Sequence, residues 1–335
     1  MDEIITGKKV LVTGGAGFIG SHLVDRLVAM ENEVVVVDDF SFGKMEHIAH
    51  HQNNPRVSIE RADVGDSKRM ACLTRGVDVV FHLAVFCLRN SLHNPSWCHD
   101  VNDTGTLRLL QASLDNHVEK FVYTSTGEVY GTALYYPIDE KHPFQPTNVY
   151  GAAKAAGELY AHSYWKTYGL PCVVVRLFNT YGPREQYEGR RTEVIPRFVL
   201  RTLAGQRSEI FGDGQQSRDF TYIDDIVRGI IRAAECGEAI GECINLGRGH
   251  DITVNHILEL ILQKLNRTDL EPLYLGEIRP ADIDKIQADV SKARTVLGFS
   301  ADIDIEQGLD RYIEWVQRQN IDLKKWWHQD NKRKW

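Results

Sequence analysis

Short β-rich runs alternate with helix-period runs through the first half of the chain. "KKVLVTG", "NEVVVVDDF", "RVSIERAD", "VDVVFHLA", "VEKFVYTS" and "LPCVVVRLFN" are rich in valine and isoleucine, the pattern of strands buried on both faces of a parallel sheet. Between them apolar positions recur at helical spacing, as at Ile19, Leu23 and Leu27 within residues 18 to 30. Six such repeats predict an α/β fold with a doubly wound parallel sheet.

The pattern changes after Asn179. "TYGPREQYEGRRTEVIPRF" is rich in turn residues and charge, and its length predicts a working loop. Residues 222 to 246 return to the earlier style, with Asp224 expected to cap the helix "DIVRGIIRAAE" and "GECINLG" reading as a strand. Short helices follow from residue 251, and "IDIEQGLDRYIEWVQR" places Ile305, Leu309, Tyr312, Ile313 and Val316 on one stripe. The tail "KKWWHQDNKRKW" reads as a loosely packed terminus. Together these runs divide the chain into a large nucleotide-binding domain over 1–178 and 222–250 and a smaller C-terminal α/β substrate-binding domain over 179–221 and 251–335.

Composition narrows the function. The 335 residues are 43% apolar and 25% charged, with no apolar run long enough to cross a membrane. "MDEIITGKK" has no signal-peptide core, so the expected location is the cytosol. A net charge of −7 argues against nucleic acid as partner, whereas a small anionic ligand needs only a few placed arginines. Cys72, Cys87, Cys98, Cys172, Cys236 and Cys243 form no C-x-x-C pair and read as buried small hydrophobes. The histidines form no H-E-x-x-H pattern, and no metal site is expected.

"VLVTGGAGFIG" follows a strand and opens a helix, the setting a phosphate-binding glycine motif requires. Gly14 permits the tight turn, Gly17 lets a pyrophosphate approach the backbone, and Gly20 lets helix and strand pack closely. The second strand ends in Asp38, placed to accept both adenosine ribose hydroxyls. A 2′-phosphate would meet like charge there, so the expected cofactor is NAD on a Rossmann domain. Asp63 is placed either to bind the adenine amino group or to cap a helix.

"NVYGAAKAAGELYAHSYW" sets Tyr150 and Lys154 on one helical face. A phenol ionises near ~10, and bringing it to neutrality takes about 3 units, roughly 4 kcal/mol. A nearby lysine ammonium and a positive nicotinamide ring are a plausible source. Tyr150 would then serve as base at a substrate hydroxyl.

With "TGGAGFIG", "DDFSFG", "FHLA", "TSTGEVYG", "YGAAK", "RLFNTYGPR" and "GDGQQSRDFTYIDD" in this order, nearly the whole chain resembles the extended short-chain dehydrogenase/reductase family, in the branch acting on nucleotide-diphosphate sugars. The resemblance implies that Thr126 and Tyr150 share one substrate oxygen and that Lys154 also grips the nicotinamide ribose. It implies that Phe18, Ile19, Asp39, Ser41, Gly43, Val64, Leu83, Ala84, Thr124 and Phe178 complete the NAD site. Asn179, Arg218, Arg279 and, more weakly, Arg184 match positions that hold the sugar-nucleotide diphosphate. Helices near 97 to 116 and 150 to 168 resemble those that build a homodimer.

Glu128 bears on the reaction. The branch oxidises the sugar at C4, and the resulting ketone acidifies the proton at C5, which a base at Glu128 could remove. Relatives that eliminate water often carry an acid at the position of Gly127, and this chain lacks it. The sequence reading ranks an NDP-hexose 4,6-dehydratase first, followed by a C4-epimerase or a UDP-glucuronate decarboxylase. A non-catalytic NAD-binding sensor is the reading from another class; it would not need the complete Thr126, Tyr150 and Lys154 set.

Overall fold

The computed structural model describes residues 5–188, 192–276 and 283–330. Seven strands form one sheet: β1 (Lys9–Thr13), β2 (Glu33–Asp38), β3 (Val57–Arg61), β4 (Val79–His82), β5 (Lys120–Thr126), β6 (Cys172–Leu177) and β7 (Cys243–Leu246). Their order is β7-β6-β5-β4-β1-β2-β3, and all pairs are parallel. The principal helices are α1 (Phe18–Ala29), α2 (Gly105–Asp115), α3 (Val149–Tyr168), α4 (Val194–Leu203), α5 (Ile223–Glu235), α6 (Val254–Lys264), α7 (Ile305–Arg318) and α8 (Leu323–Asp330).

The continuous apolar runs have a simple cause. Val10, Val12, Val34 and Val36 point into one core with Leu23 and Leu27 of α1 and Ile226 and Ile230 of α5. Leu11, Val35 and Val37 alternate with them into a second core, with Leu109 and Leu110 of α2 and Phe121 and Tyr123 of β5. Each strand serves two hydrophobic layers, so alternation with polar residues is absent. The strand order reverses between β1 and β4, and such a switch point opens a crevice at the C-terminal strand ends.

Beyond residue 179 the strands are short. Thr180–Tyr181 pairs with Thr221–Tyr222, Ser217–Arg218 with Ile252–Thr253, and Glu209–Ile210 with Leu273–Tyr274. Among the described residues, no helix is long and apolar enough to cross a membrane.

Three expectations need correction. Asp224 does not cap α5: the helix starts at Ile223, Tyr222 stands at its cap without a side-chain bond, and Asp224 faces Arg311 at 3.3 Å. Its carboxylate still favours the positive helix start from the first turn. The described part of the tail is not loose, because α8 buries Trp326 and Asp330. Nor are the cysteines uniformly buried, since Cys72 is exposed and Cys87 and Cys243 are half-buried.

One buried network fixes α3 on the sheet. A Cβ at Gly157 would collide with the Tyr123 hydroxyl, so this glycine lets the helix settle directly on β5. Glu158 receives Arg176 from β6 through Nε at 3.0 Å and Nη2 at 2.6 Å, both side chains being 5% exposed. Arg176 also donates to the Tyr130 hydroxyl at 2.6 Å, which donates to Asn245 Oδ1 at 2.6 Å. Removing one member of a buried pair strands the other charge. Glu158→Gln is expected to cost about 3–5 kcal/mol in denaturant unfolding, whereas loss of the nearby exposed Lys8–Glu119 pair should shift it by less than about 1 kcal/mol.

Candidate active site

The C-terminal ends of β1, β4, β5 and β6 open on one cavity of about 440 Å³. Every residue assigned to the cofactor from the sequence, from Gly14 through Phe178, lines it. The first turn of α1 forms part of the wall, and its cap residue Gly17 supplies no side-chain bond. Its leading N–H groups therefore suit an anion, with the helix dipole behind them. A Cβ at Gly20 would collide with the Gly14 carbonyl, so only glycine lets the turn and helix close this tightly.

Asp38 is buried, and burial pushes its carboxyl upward while two backbone donors oppose the shift. Oδ2 accepts from Ala16 N–H at 3.0 Å and Oδ1 from Phe40 N–H at 2.9 Å. A carboxylate offers about four acceptor sites, so it keeps capacity for two ribose hydroxyls. Asp63 is not a helix cap: it accepts from Gly65 N–H at 2.7 Å, and Asp66 caps the helix that follows. These donors and acceptors fit a dinucleotide.

Asn148 caps α3 by accepting from Gly151 N–H at 2.8 Å, which starts the helix one turn before Lys154. Tyr150 and Lys154 both face the cavity, with Thr126 at the end of β5 beside them. Burial pushes the Tyr150 phenol upward, the Thr126 hydroxyl hydrogen-bonds it in the opposing sense, and the Glu128 charge raises it further. Lys154 is 2% exposed, with Nζ 4.1 Å from the centre of the Tyr123 ring. Burial pulls its ammonium down to about 7 against the supporting charge of Glu158. In this balance burial outweighs the Thr126 hydrogen bond.

Glu128 stands differently from its neighbours. Its backbone N–H donates to Thr126 Oγ1 at 3.2 Å, and its Oε2 accepts from Asn148 Nδ2 at 3.1 Å. Among the described residues that line the cavity, Glu128 is not included. A Cβ on Gly127 would stand 3.3 Å from the Phe178 ring, a tight contact that a side chain there would have to relieve by a shift of a few tenths of an ångström.

The substrate candidates separate. Asn179 and Arg184 line the cavity, and Arg184 is held by Asp25 at 2.8 Å. The other oxygen of Asp25 meets His50 and His51, each at 2.7 Å. Arg218 lies on a short strand, donates to the Ser217 carbonyl at 2.9 Å, and is not among the described lining residues. Arg279 lies outside the described residues. Sequence reasoning missed Glu185 and Glu193, both on the wall. Glu193 is gripped by Arg89 through Nε at 3.2 Å and Nη2 at 2.9 Å. Glu185 is 5% exposed, and burial, with Glu193 nearby, pushes its carboxyl well above the usual range. No local motif signals a pair so distant in sequence.

A family model described as GDP-mannose 4,6 dehydratase matches residues 11–312. The UDP-N-acetylglucosamine 4-epimerase of Methanobrevibacter ruminantium, solved with UDP-N-acetylmuramic acid, is 36% identical with a TM-score of 0.88, covering 93% of this chain and 99% of that one. UDP-glucuronic acid decarboxylase 2 of Arabidopsis thaliana is 36% identical over 320 residues, covering 92% of this chain and 68% of its own length. DesIV, a dTDP-glucose 4,6-dehydratase of Streptomyces venezuelae solved with NAD and TYD bound, is 31% identical with a TM-score of 0.86, covering 93% of this chain and 97% of that one. The chain belongs to the extended short-chain dehydrogenase/reductase family of NAD-dependent nucleotide-sugar epimerases and dehydratases.

Proposed function

We propose that this NAD-dependent enzyme modifies a nucleotide-diphosphate sugar through a 4-keto intermediate and that its net reaction is inversion at C4. The observation that carries the reading is that Thr126, Tyr150 and Lys154 line the cavity, whereas the Glu128 carboxylate is engaged by Asn148 Nδ2 at 3.1 Å. C4 inversion needs only a base at the C4 hydroxyl and a hydride acceptor that returns its hydride to the opposite face. Bound NAD supplies that acceptor and a positively charged ring.

Tyr150 Oη takes the C4 hydroxyl proton while Thr126 holds the same oxygen. Lys154 steadies the developing phenolate and the cofactor ribose. Asn179 and Arg184 hold the diphosphate. On return, Tyr150 gives the proton back to the new C4 alkoxide. Exposed apolar residues on α2 and α3, Leu107, Leu159 and Tyr168, support a homodimer across those helices, and the proposed location is the cytosol.

The 4,6-dehydratase reading, ranked first from the sequence, becomes the second here; it is supported by the Glu128 charge, which acts on Tyr150 and is therefore close to the reacting alcohol. Mass spectrometry separates the reactions. Wild-type protein is incubated with UDP-glucose, dTDP-glucose, GDP-mannose, UDP-N-acetylglucosamine and UDP-glucuronate. An isomer of unchanged mass that separates from its substrate by chromatography is expected from at least one; loss of water or of carbon dioxide would overturn the C4 assignment.

Two substitutions sharpen it. Tyr150→Phe is expected to lower kcat by about 10²- to 10⁴-fold while NAD stays bound, read by turnover and cofactor absorbance. Glu128→Gln removes a negative charge that raises the Tyr150 phenol. The phenolate then forms more easily, so the acid limb of the kcat profile should move to lower pH by roughly one unit with activity retained. Abolished activity in this variant would favour a base role at C5 instead.

A further inference from the structure

Two stretches, 184–186 and 193–195, supply part of the cavity wall through Arg184, Glu185, Glu193 and Ile195. Between Gly182 and Glu188 the backbone is neither helix nor strand. Its position therefore depends on groups that grip it from other elements.

Several of those groups come from the end of the chain. Trp326 of α8 is 5% exposed, and its indole N–H donates to the Tyr187 carbonyl at 2.6 Å. Trp315 of α7 meets the Tyr187 ring edge-on, with centres 6.3 Å apart. Asp330, at the end of α8, accepts a hydrogen bond from Arg201 Nε at 2.8 Å and forms an ion pair with Arg197 at 3.2 Å. Both arginines belong to α4, whose first turn carries Val194 and Ile195 into the cavity. From the cofactor side Lys44 pairs with Glu188 at 2.8 Å and lies 5.3 Å above the Tyr187 ring. One eight-residue helix thus ties down both wall stretches.

We propose that α8 is a strap for the substrate wall, with Trp326 and Asp330 as positioning residues for nucleotide-sugar binding. The proposal rests on the reading of this cavity as the nucleotide-sugar site. Neither residue lines the cavity or touches reacting atoms; each acts through Tyr187 or through α4. The consequence falls on binding, not on chemistry, because Thr126, Tyr150 and Lys154 sit on β5 and α3. A helix that merely packed at the terminus would affect melting and leave binding alone.

The test compares wild type, Trp326→Phe and Asp330→Asn as NAD-loaded protein. Trp326→Phe keeps a ring in the socket and deletes only the N–H donor. Amide hydrogen exchange in 184–188 is expected to quicken about tenfold in Trp326→Phe, and in 194–197 by a similar factor in Asp330→Asn. Exchange in β5 should stay unchanged. With the nucleotide sugar that wild type turns over, KM should rise about 5- to 20-fold while kcat changes less than about twofold. Unchanged exchange at the wall would overturn the strap, whatever the melting temperature does. Faster exchange with an unchanged KM would overturn it equally. If wild type turns over no sugar in the panel, the functional reading fails, and the exchange comparison still decides the strap.

Discussion

A lysine ammonium kept out of water beneath the cavity is the constraint around which the site is arranged. Lys154 lies against the Tyr123 ring, and its burial is tolerated because Glu158 stands one helical turn on. Glu158 is itself balanced by Arg176, and Arg176 by Tyr130 and Asn245. The series runs from α3 through β6 to β7, so the Lys154 charge is wired into the sheet. Gly157 sets the depth at which α3 can sit. That depth decides where Tyr150, about two turns earlier, stands in the cavity.

This arrangement divides the electrostatic work. The chain alone makes the phenolate harder to form, through burial and through Glu128. Thr126 opposes that shift by hydrogen bonding, and the remaining stabilisation is assigned to the cofactor's positive ring. A base that becomes competent only with cofactor in place is protected from unproductive chemistry. In the proposed reading the choice of reaction turns on two neighbours: the Phe178 ring stands close to the Gly127 position, and Asn148 engages the Glu128 carboxylate at the cap of α3. Substituents at these two positions separate inversion from elimination in this reading.

Much of the fold was legible in the sequence because burial on two faces leaves no freedom for polar residues. The strands of the main sheet appear as apolar runs for that reason, and the glycine turn appears because no side chain fits it. Tyr150 and Lys154 were legible because four-residue spacing on a helix places them together. Other features lacked a local signature. The Arg89–Glu193 grip joins residues 104 apart in the chain, and buried Glu185 looks like any loop glutamate. Arg218 reads as a ligand by motif, and its Nη1 donates to the Ser217 carbonyl. The tail looked loose because its charges suggested solvent; Asp330 instead meets two arginines, and Trp326 finds a carbonyl.

In the proposed mechanism Tyr150 becomes a phenolate near neutral pH only once cofactor is bound. Ultraviolet difference titration of the protein with and without NAD tests it, with Tyr150→Phe as the reference. One phenolate should appear near neutrality in the NAD-loaded wild type and in neither the cofactor-free protein nor the variant. A loaded enzyme whose tyrosines all stay protonated to about pH 10 would contradict it.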